Sequence, residues 1–300
     1  MKTIDCITYF DEPLLFELRL NILEKYVDEF IVCEAKYTHA GKKKELNFDI
    51  RKYEKFKNRI NYIIVENEPD NLNDKRDTYE SKNLMFRINA QKRIYYQREA
   101  IFNELKNNYS PEDWVIYSDS DEIPNLEKFQ IKRCNNKIVL FDQKLFYYKF
   151  NLCLPNNKWF GSKACRLKDL NSITNLRNIK TKKYSWWRLD TLFKKEKFIN
   201  LKIVDNGGWH FTEIKSPEEI YKKHTNDEHH DEFELTGINL EDVKSMIKNK
   251  YIHYDHKADK KDLKKRWSRE VKVKLEKVDD QVLPQYLVKN KEKYLKWFDN

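Results

Sequence analysis

The sequence predicts an α/β fold, in which a mostly parallel sheet is flanked by helices and carries a helical appendage at its C-terminal end. Two observations predict it. Through about the first 120 residues, apolar strand-like segments alternate with amphipathic helical segments, which is typical of parallel sheets covered on both faces. After Pro124 the pattern changes to short strands rich in aromatic residues, which indicates a mixed sheet that extends the first.

Four strands and one helix come first. The apolar segments at residues 3–9, 29–35, 60–65 and 114–118 are the expected strands. A helix is expected after Pro13, because leucine and isoleucine recur there at helical spacing and proline favours the first turn of a helix.

A long helix over about residues 84–107 is expected after a polar loop at residues 66–82. Arg87, Gln91 and Arg98 fall in one row of that helix, because their spacings fit its period. Two guanidiniums in such a row can neutralise a diphosphate, although an ordinary solvent-exposed face gives the same pattern. The buried stripe is expected at Ile88, Tyr95, Phe102 and Leu105.

The second half of the chain is expected to contain short strands and then helices. Strands are predicted at residues 138–141, 145–150, about 163–167 and 184–189. Asn206-Gly-Gly208 is a turn signal before Trp209-His210-Phe211, and the chain has a helical pattern from Ser216 onward. Helices are predicted at residues 240–248 and after Pro284. We divide the chain into a catalytic domain, residues 1–235, and a helical C-terminal extension packed on it, residues 236–300.

Composition narrows the classes of function. The formal charge of +10 suits an anionic partner, but basic residues are interspersed with acidic ones, so no nucleic-acid partner is expected. With only 5 glycines, the chain has no Gly-rich phosphate loop. No apolar run approaches the length of a membrane-spanning helix, and no signal peptide is expected. The 5 cysteines form no Cys-x-x-Cys pair, which indicates buried thiols and a cytoplasmic location.

The most informative motif is Asp119-Ser-Asp121-Glu122-Ile-Pro124, directly after the strand at residues 114–118. Two carboxylates one residue apart can bind a divalent cation, and Mg²⁺ or Mn²⁺ shares its ligand shell with substrate phosphates. In open α/β sheets the ligand crevice lies outside the carboxyl ends of the strands, where this motif is placed. A simple Asx-type turn before Pro124 gives the same residues.

Seven segments in order along the chain resemble one protein family. They are Phe16-Glu-Leu-Arg-Leu-Asn21, Phe30-Ile-Val-Cys-Glu-Ala35, Tyr37-Thr-His-Ala-Gly-Lys42, Gln97-Arg-Glu-Ala100, Asp113-Trp-Val-Ile-Tyr-Ser-Asp-Ser-Asp-Glu-Ile-Pro124, Gly207-Gly-Trp-His-Phe211 and Leu283-Pro-Gln-Tyr-Leu-Val-Lys-Asn290. Together they make the chain resemble family 17 of the glycosyltransferases.

This resemblance implies a GT-A fold and an inverting transfer of a sugar from a nucleotide-sugar to a glycan or glycoconjugate acceptor. UDP-GlcNAc is the implied donor, and Mn²⁺ or Mg²⁺ is the implied cofactor at the Asp-x-Asp motif. Asp121 is expected to be the direct ligand, and Asp119 a ligand or a contact to ribose or water. His210 follows two glycines that let the backbone approach a ligand, so it is expected at the metal or phosphate, although a lone histidine beside aromatic residues is more often a core residue.

The catalytic base is expected to be a carboxylate that deprotonates the acceptor hydroxyl. The resemblance places it after the Trp-His segment, where Glu232 is the first choice and Glu213 and Asp231 are the alternatives. An exposed run of charged residues explains Asp231 and Glu232 equally well.

The remaining site residues are expected to bind the donor or the acceptor. Side chains at the first two strand ends and on the first and long helices are expected to contact the nucleotide or its phosphates; they are Asp11, Glu12, Arg19, Glu34, Lys42, Arg87, Arg98 and Ser120. Arg19 is placed on the polar side of the first helix. Flat rings stack on sugar C–H faces, so acceptor binding is expected at Trp159, Trp186, Trp187 and Trp209, although such rings are also common in cores.

Two other functions fit the same residues. A nucleotidyltransferase also uses paired aspartates with a metal ion, and it releases pyrophosphate. A basic, non-catalytic module that binds polyanions would show steeply salt-dependent binding and no turnover.

Overall fold

One mixed sheet of ten strands organises the part of the chain that the structure describes. The structure is a computed structural model, and it describes residues 1–73, 79–182, 200–225, 233, 236–258 and 268–299. The predicted strand at residues 184–189 lies outside this part, together with Trp186, Trp187, Asp231 and Glu232.

Four parallel strands form the N-terminal half of the sheet. They are β1 (Thr3–Tyr9), β2 (Glu29–Ala35), β3 (Ile60–Val65) and β4 (Trp114–Asp119), in the spatial order β3-β2-β1-β4. All four were predicted to within one residue, because each is rich in apolar residues; β1, β2 and β4 are buried on both faces, whereas the edge strand β3 is only partly buried. Their carboxyl ends meet at one edge of the sheet.

Two helices cover this half on opposite faces. Helix α1 (Pro13–Leu23) contributes Phe16 and Leu20 to one apolar cluster, and α2 (Tyr79–Asn108) contributes Ile101 and Leu105 to the other. Because α2 begins at Tyr79, the loop before it is shorter than the predicted loop at residues 66–82.

The predicted buried stripe of α2 is wrong at Tyr95, which is 40% exposed. Gln97 takes part in the buried face instead, and its amide donates a hydrogen bond of 2.7 Å to the backbone oxygen of Cys33. A polar residue with a buried partner is not visible in a hydrophobic pattern.

Antiparallel pairing begins beyond β4. Strands β5 (Glu122–Pro124), β6 (Ile138–Tyr147), β7 (Leu152–Cys153), β8 (Lys163–Arg166) and β9 (Leu201–Thr212) complete this part of the sheet. Strand β8 lies between β4 and β6, whereas β9 runs parallel to β6 and antiparallel to β5. The two strands predicted at residues 138–141 and 145–150 are one strand with an irregularity between Phe141 and Gln143.

The turn predicted at Asn206-Gly207-Gly208 is wrong. These residues form an irregular part of β9. Asn206 has a φ of 48°, and Gly208 has a φ of 145°. A Cβ atom at Gly208 would lie 2.2 Å from the backbone oxygen of Ile123 in β5. Gly208 therefore permits the close approach of β5 to β9.

The C-terminal part contains helices and short strands. The helices are α3 (Ile173–Asn178), α4 (Pro217–His224), α5 (Leu240–Asn249) and α6 (Gln285–Lys289), and the strands are β10 (Tyr251–Ile252), β11 (Val273–Lys274) and β12 (Glu276–Lys277). Short 3₁₀ helices lie at Ile50–Arg59, Ile131–Arg133, Leu167–Asp169, Asp280–Val282 and Lys291–Trp297. The predicted terminal helix is thus divided into α6 and a 3₁₀ segment.

The extension is joined closely to the rest. Strand β12 pairs with β7, and Leu287, Tyr294 and Phe298 belong to the same apolar cluster as α1. The division at residue 235 stays a prediction. All five cysteines are buried and unpaired. Within the described ranges, no helix is both long and apolar enough to cross a membrane.

We predict that Gly208→Ala destabilises the fold by about 2–6 kcal/mol, since backbone strain costs about 1–3 kcal/mol and overpacking a similar amount. Urea denaturation measures this. Gly237→Ala is the matched control: Gly237 has a φ of 64°, but nothing lies within 4 Å of its added Cβ, so only strain of about 1–2 kcal/mol is expected. Equal losses for the two variants would contradict the close approach of β5 and β9.

Candidate functional site

Strand pairing brings the Asp-x-Asp motif and His210 together. Asp119 ends β4, and Ser120 and Asp121 form the turn into β5, where Glu122 pairs with His210 of β9. The Nε2 atom of His210 lies 3.4 Å from Oδ1 of Asp121. These residues are far apart in the sequence, so the short strand β5 is what makes them neighbours.

Glu122 is the most enclosed carboxylate of the site, with no exposed side-chain surface. Its oxygens accept hydrogen bonds from the backbone N–H of Asp119 at 2.9 Å and from the indole N–H of Trp159 at 2.6 Å. A Cβ atom at position 161 would lie 2.1 Å from this carboxyl group, so glycine is needed there. Burial alone would raise the pKa of Glu122, but the charges of Arg177 and His210 outweigh it and lower the pKa.

Arg177, in α3, donates hydrogen bonds to two carboxylates of the motif, those of Glu122 and Asp119. Its Nη1 and Nη2 atoms donate hydrogen bonds of 2.8 Å and 2.9 Å to Glu122, and Nη2 donates another of 2.5 Å to Asp119. The backbone oxygen of Gly161 accepts a further bond from Nη1. A guanidinium provides this planar fork of donors, which a lysine cannot match.

Lys163, in β8, holds the end of the helix that carries Arg177. Its ammonium group donates hydrogen bonds to the backbone oxygens of Arg177 at 2.5 Å and Ile179 at 2.7 Å. Burial, and next the charge of Arg177, lower the pKa of Lys163 to about 7. Even the neutral amine can donate these bonds, so the helix end stays fixed.

Asp119 lies at the mouth of this cluster, and its side chain is 37% exposed. Besides Arg177, it faces Arg98 of α2, whose Nη2 lies 3.6 Å from Oδ1. Arg98 is placed by Tyr117, which accepts a hydrogen bond of 3.0 Å from its Nε atom. The structure thus places one of the two predicted arginines of α2 beside the motif.

Asp121 and His210 form a separate pair that is largely shielded from solvent. Burial would raise the pKa of Asp121, but the positive charge of His210 lowers it well below its ordinary value. Burial would lower the pKa of His210, but the charge of Asp121 raises it. The other ring nitrogen of His210, Nδ1, is buried and has no hydrogen-bond partner among the described residues. An unsatisfied polar atom at this place is costly unless a ligand or water meets it.

The donor atoms at this edge of the sheet limit which side chains could hold a divalent cation. Within the described ranges, no group of three or more His, Cys, Asp or Glu side chains is arranged to hold a metal ion. Asp119 is bound to Arg177, whereas Asp121 and His210 offer one carboxylate and one imidazole side by side. Mg²⁺ is often held by only one or two protein ligands with substrate phosphates. The residues therefore fit a cation shared with a diphosphate, through Asp121 and His210.

A second cluster of side chains, formed by Glu213, His224 and Phe233, lies just beyond the end of β9, which carries His210. Glu213 follows β9 with a φ of 58°, a strained left-handed conformation, and its Oε1 lies 2.8 Å from Nε2 of His224. The ring of His224 stacks on Phe233 with centroids 4.9 Å apart. Side-chain exposure of Glu213 is 10%, so its carboxylate is held in place but not sealed off. Of the three predicted bases, Glu213 is the one that the structure describes.

Two predicted donor-binding residues do not face the crevice. Arg19 is fully buried, so its expected place on the polar side of α1 is wrong; it donates two hydrogen bonds of 2.6 Å to Asp5 and a third to the backbone oxygen of Glu122. Glu34 is also fully buried and accepts hydrogen bonds from the backbone of Asn47 and Phe48. Both residues act on the framework, because buried charges need partners of this kind.

The other predicted donor-binding residues lie around the sheet edge. Glu12 is buried and accepts a hydrogen bond of 3.0 Å from the backbone N–H of Asp11, which is exposed. Lys42 is exposed in a turn closed by Thr38, and Arg87 and Ser120 are half-buried.

The two predicted tryptophans that can be placed differ in position. Trp159 is half-buried, and its ring lies 4.8 Å from that of His210, so it belongs to the site. Trp209 is 4% exposed and donates a hydrogen bond of 2.7 Å to the backbone oxygen of Val282, so the prediction of an acceptor contact is wrong for it.

Four further site residues have no signal in the sequence: Arg177, Lys163, Tyr147 and His256. Tyr147 and His256 share a hydrogen bond of 2.8 Å across 109 positions of sequence. None of the four belongs to a motif, and only contacts in the folded chain identify them: those of Arg177 with Glu122 and Asp119, of Lys163 with the backbone of Arg177, and of His256 with Tyr147 and Trp159.

Comparison with known families and structures adds the following. A family model described as Glycosyltransferase family 17 matches residues 1–181. No match was found among curated protein sequences.

Several solved structures are distantly similar. HddC from Yersinia pseudotuberculosis is 14% identical, with a TM-score of 0.33 and coverage of 74% of this chain and 97% of that chain. The inositol-1-phosphate CTP transferase from T. maritima is 12% identical, with a TM-score of 0.33 and coverage of 81% and 96%. A197 from STIV is 13% identical, with a TM-score of 0.25 and coverage of 68% and 82%.

We predict that Glu122→Gln lowers the free energy of unfolding by about 3–5 kcal/mol, because Arg177 then loses its fully buried carboxylate partner and keeps only the more exposed carboxylate of Asp119. Chemical denaturation at neutral pH measures the loss. Glu241→Gln removes a surface carboxylate that lies 2.9 Å from Lys244, and a change below about 1 kcal/mol is expected. A loss for Glu122→Gln as small as that of the control would show that the buried pair does not stabilise the site.

Proposed function

Because the chain belongs to glycosyltransferase family 17, it is a glycosyltransferase, and we propose that it transfers a sugar from a nucleotide-sugar to a hydroxyl group of a glycan or glycoconjugate. UDP-GlcNAc is the first donor to test. The observation that carries the proposal is the pairing of Asp121 with His210 at the carboxyl edge of the sheet, beside the cluster of Asp119, Arg98 and Arg177.

The donor is proposed to lie in the crevice outside the carboxyl ends of β1, β2 and β4. Ligands of open α/β sheets bind in that position. Arg98 and Arg177 place positive charge beside Asp119, where a diphosphate needs it. Their hydrogen bonds to Tyr117 and Glu122 keep them oriented before the donor arrives.

We propose that Asp121 and His210 hold Mn²⁺ or Mg²⁺ together with the donor diphosphate. When bound, such an ion stabilises the negative charge that develops on the departing diphosphate. His210 would hold such an ion through a neutral imidazole. Both side chains are largely shielded from solvent, with 11% of the His210 and 16% of the Asp121 side-chain surface exposed.

Glu213 is proposed to be the catalytic base. In an inverting transfer, the acceptor oxygen forms a bond to the anomeric carbon while the bond from that carbon to the diphosphate breaks. The hydroxyl proton passes to the carboxylate, and the diphosphate leaves with the bonding electrons. His224 fixes one carboxylate oxygen of Glu213, and no described residue donates a hydrogen bond to the other.

The buried, unpaired cysteines support the proposed cytoplasmic location.

We predict that UDP-GlcNAc with Mn²⁺ raises the melting temperature of the protein, and that Asp121→Asn abolishes the rise. Saturating ligand at a hundredfold excess over Kd stabilises the native state by about 2.7 kcal/mol. Asp169→Asn is the control, since Asp169 faces Lys137 at 3.8 Å, outside the site. A rise that persists in Asp121→Asn, or in the presence of EDTA, would contradict the metal proposal, and a rise only with GDP- or CMP-sugars would contradict the donor.

We predict that Glu213→Gln lowers kcat by about 10²–10⁴-fold, the usual contribution of a general base, while the KM of the donor changes little. Mass spectrometry of products formed from a pool of donors and glycan acceptors identifies the reaction first. Glu218→Gln serves as the control, because Glu218 lies in the exposed first turn of α4. Unchanged kcat in Glu213→Gln would assign the base elsewhere.

The two alternative functions give different products. A nucleotidyltransferase releases pyrophosphate and forms a nucleotide-sugar, whereas the proposed transfer releases a nucleoside diphosphate. A polyanion-binding module shows salt-dependent binding without turnover. The same product analysis distinguishes all three.

A further inference from the structure

The C-terminal extension contributes a side chain to the site. His256 follows β10, and its Nε2 atom lies 2.8 Å from the hydroxyl oxygen of Tyr147 at the end of β6. In the pairing of β6 with β9, Leu145 lies opposite His210 and Tyr147 lies opposite Thr212. Alternate residues of a strand share a face, so Tyr147 lies next along the same face of the sheet from His210.

Trp159 connects His256 to the centre of the site. Its ring lies 4.8 Å from that of His210 and 6.2 Å from that of His256. The indole N–H is bound to Glu122, so the orientation of the ring is fixed. Tyr254 packs edge-on against His256 at 4.5 Å. Half-buried rings therefore surround the hydrogen bond between Tyr147 and His256.

This wall suits a neutral ligand that both donates and accepts hydrogen bonds. Burial, and then the charge of Glu213, raise the pKa of Tyr147 well above its ordinary value. Burial lowers the pKa of His256 to about 4, and the charge of His210 acts in the same direction. Both groups are therefore neutral at neutral pH, unlike Arg98 and Arg177 on the other side of Asp121. A sugar hydroxyl can match either tautomer of the pair.

The hydrogen bond to Tyr147 is not needed to hold the segment that carries His256. Strand β10 pairs with β11, and Nδ1 of His253 lies 2.6 Å from the backbone oxygen of Val271. The side chain of His253 is buried, whereas that of His256 is half-buried.

We propose that Tyr147, Trp159 and His256 form the acceptor subsite, in which a sugar ring packs on Trp159 and one of its hydroxyls bonds to the Tyr147–His256 pair. The inference rests on the proposed glycosyl transfer and names the surface that receives the acceptor. It places the acceptor between the nucleotide crevice and the C-terminal extension, within reach of Glu213.

The test separates acceptor binding from donor chemistry in the whole chain. UDP-GlcNAc is the donor, and p-nitrophenyl β-mannoside, β-glucoside and β-galactoside are the acceptor probes. Tyr147→Phe and His256→Asn each remove one hydrogen-bonding group. Each is expected to raise the KM of the acceptor by about five- to tenfold, the effect of one neutral hydrogen bond. Hydrolysis of the donor in the absence of acceptor is expected to stay within about twofold.

One matched control accompanies these variants. Tyr148→Phe removes the neighbouring hydroxyl, which donates a bond of 3.4 Å to the backbone oxygen of Tyr251. It is expected to leave the KM of the acceptor unchanged. An unchanged KM in Tyr147→Phe and His256→Asn, or a parallel loss of donor hydrolysis in them, overturns the subsite.

A failure of the proposed function gives a different result. In that case the wild-type protein neither hydrolyses nor transfers any nucleotide-sugar, and saturation-transfer NMR with the same glycosides then tests the subsite directly. A glycoside signal that the wild type shows and His256→Asn loses supports the subsite. The same signal in both proteins, or no signal in either, overturns it.

Discussion

The ion pair of Glu122 and Arg177 is the interaction on which the rest of the site depends. A carboxylate with no exposed surface is stable only when its charge and its lone pairs are met, and here an arginine, an indole and a backbone N–H meet them. The same contacts orient Asp119 on one side and Trp159, which packs on His210, on the other. The site is therefore rigid at its centre, and the side chains proposed to meet ligands project from that centre.

The geometry of the backbone makes this centre possible. Strand β5 has only three residues, yet its pairing with β9 places Glu122 opposite His210. Gly208 allows the two strands to approach, and Arg19 holds the backbone oxygen of Glu122 from the opposite side through its bonds with Asp5. Charge pairs in the framework and glycines in the sheet thus act together on one short strand.

The sequence was sufficient for features that depend on neighbouring residues. The four parallel strands are rich in apolar residues, and Asp119 comes at the end of the last of them, so the position of the motif could be predicted. Contacts between distant residues could not: 58 positions separate Arg177 from Asp119, and the packing of α3 against β4 and β8 that joins them has no local signal. Residue type alone also misled, because Arg19 and Trp209 have the chemistry of ligand contacts but are buried with partners in the framework.

The order of the site along the chain has a consequence for how its specificity can change. Asp119 and Arg177 lie within the segment that the family model matches, residues 1–181, whereas His210, Glu213 and His256 come later. The proposed cation pair, Asp121 with His210, and the proposed acceptor subsite, Tyr147 and Trp159 with His256, each combine residues from before and after position 181. A chain that exchanged the later segment for a relative's would therefore change both parts of the site together.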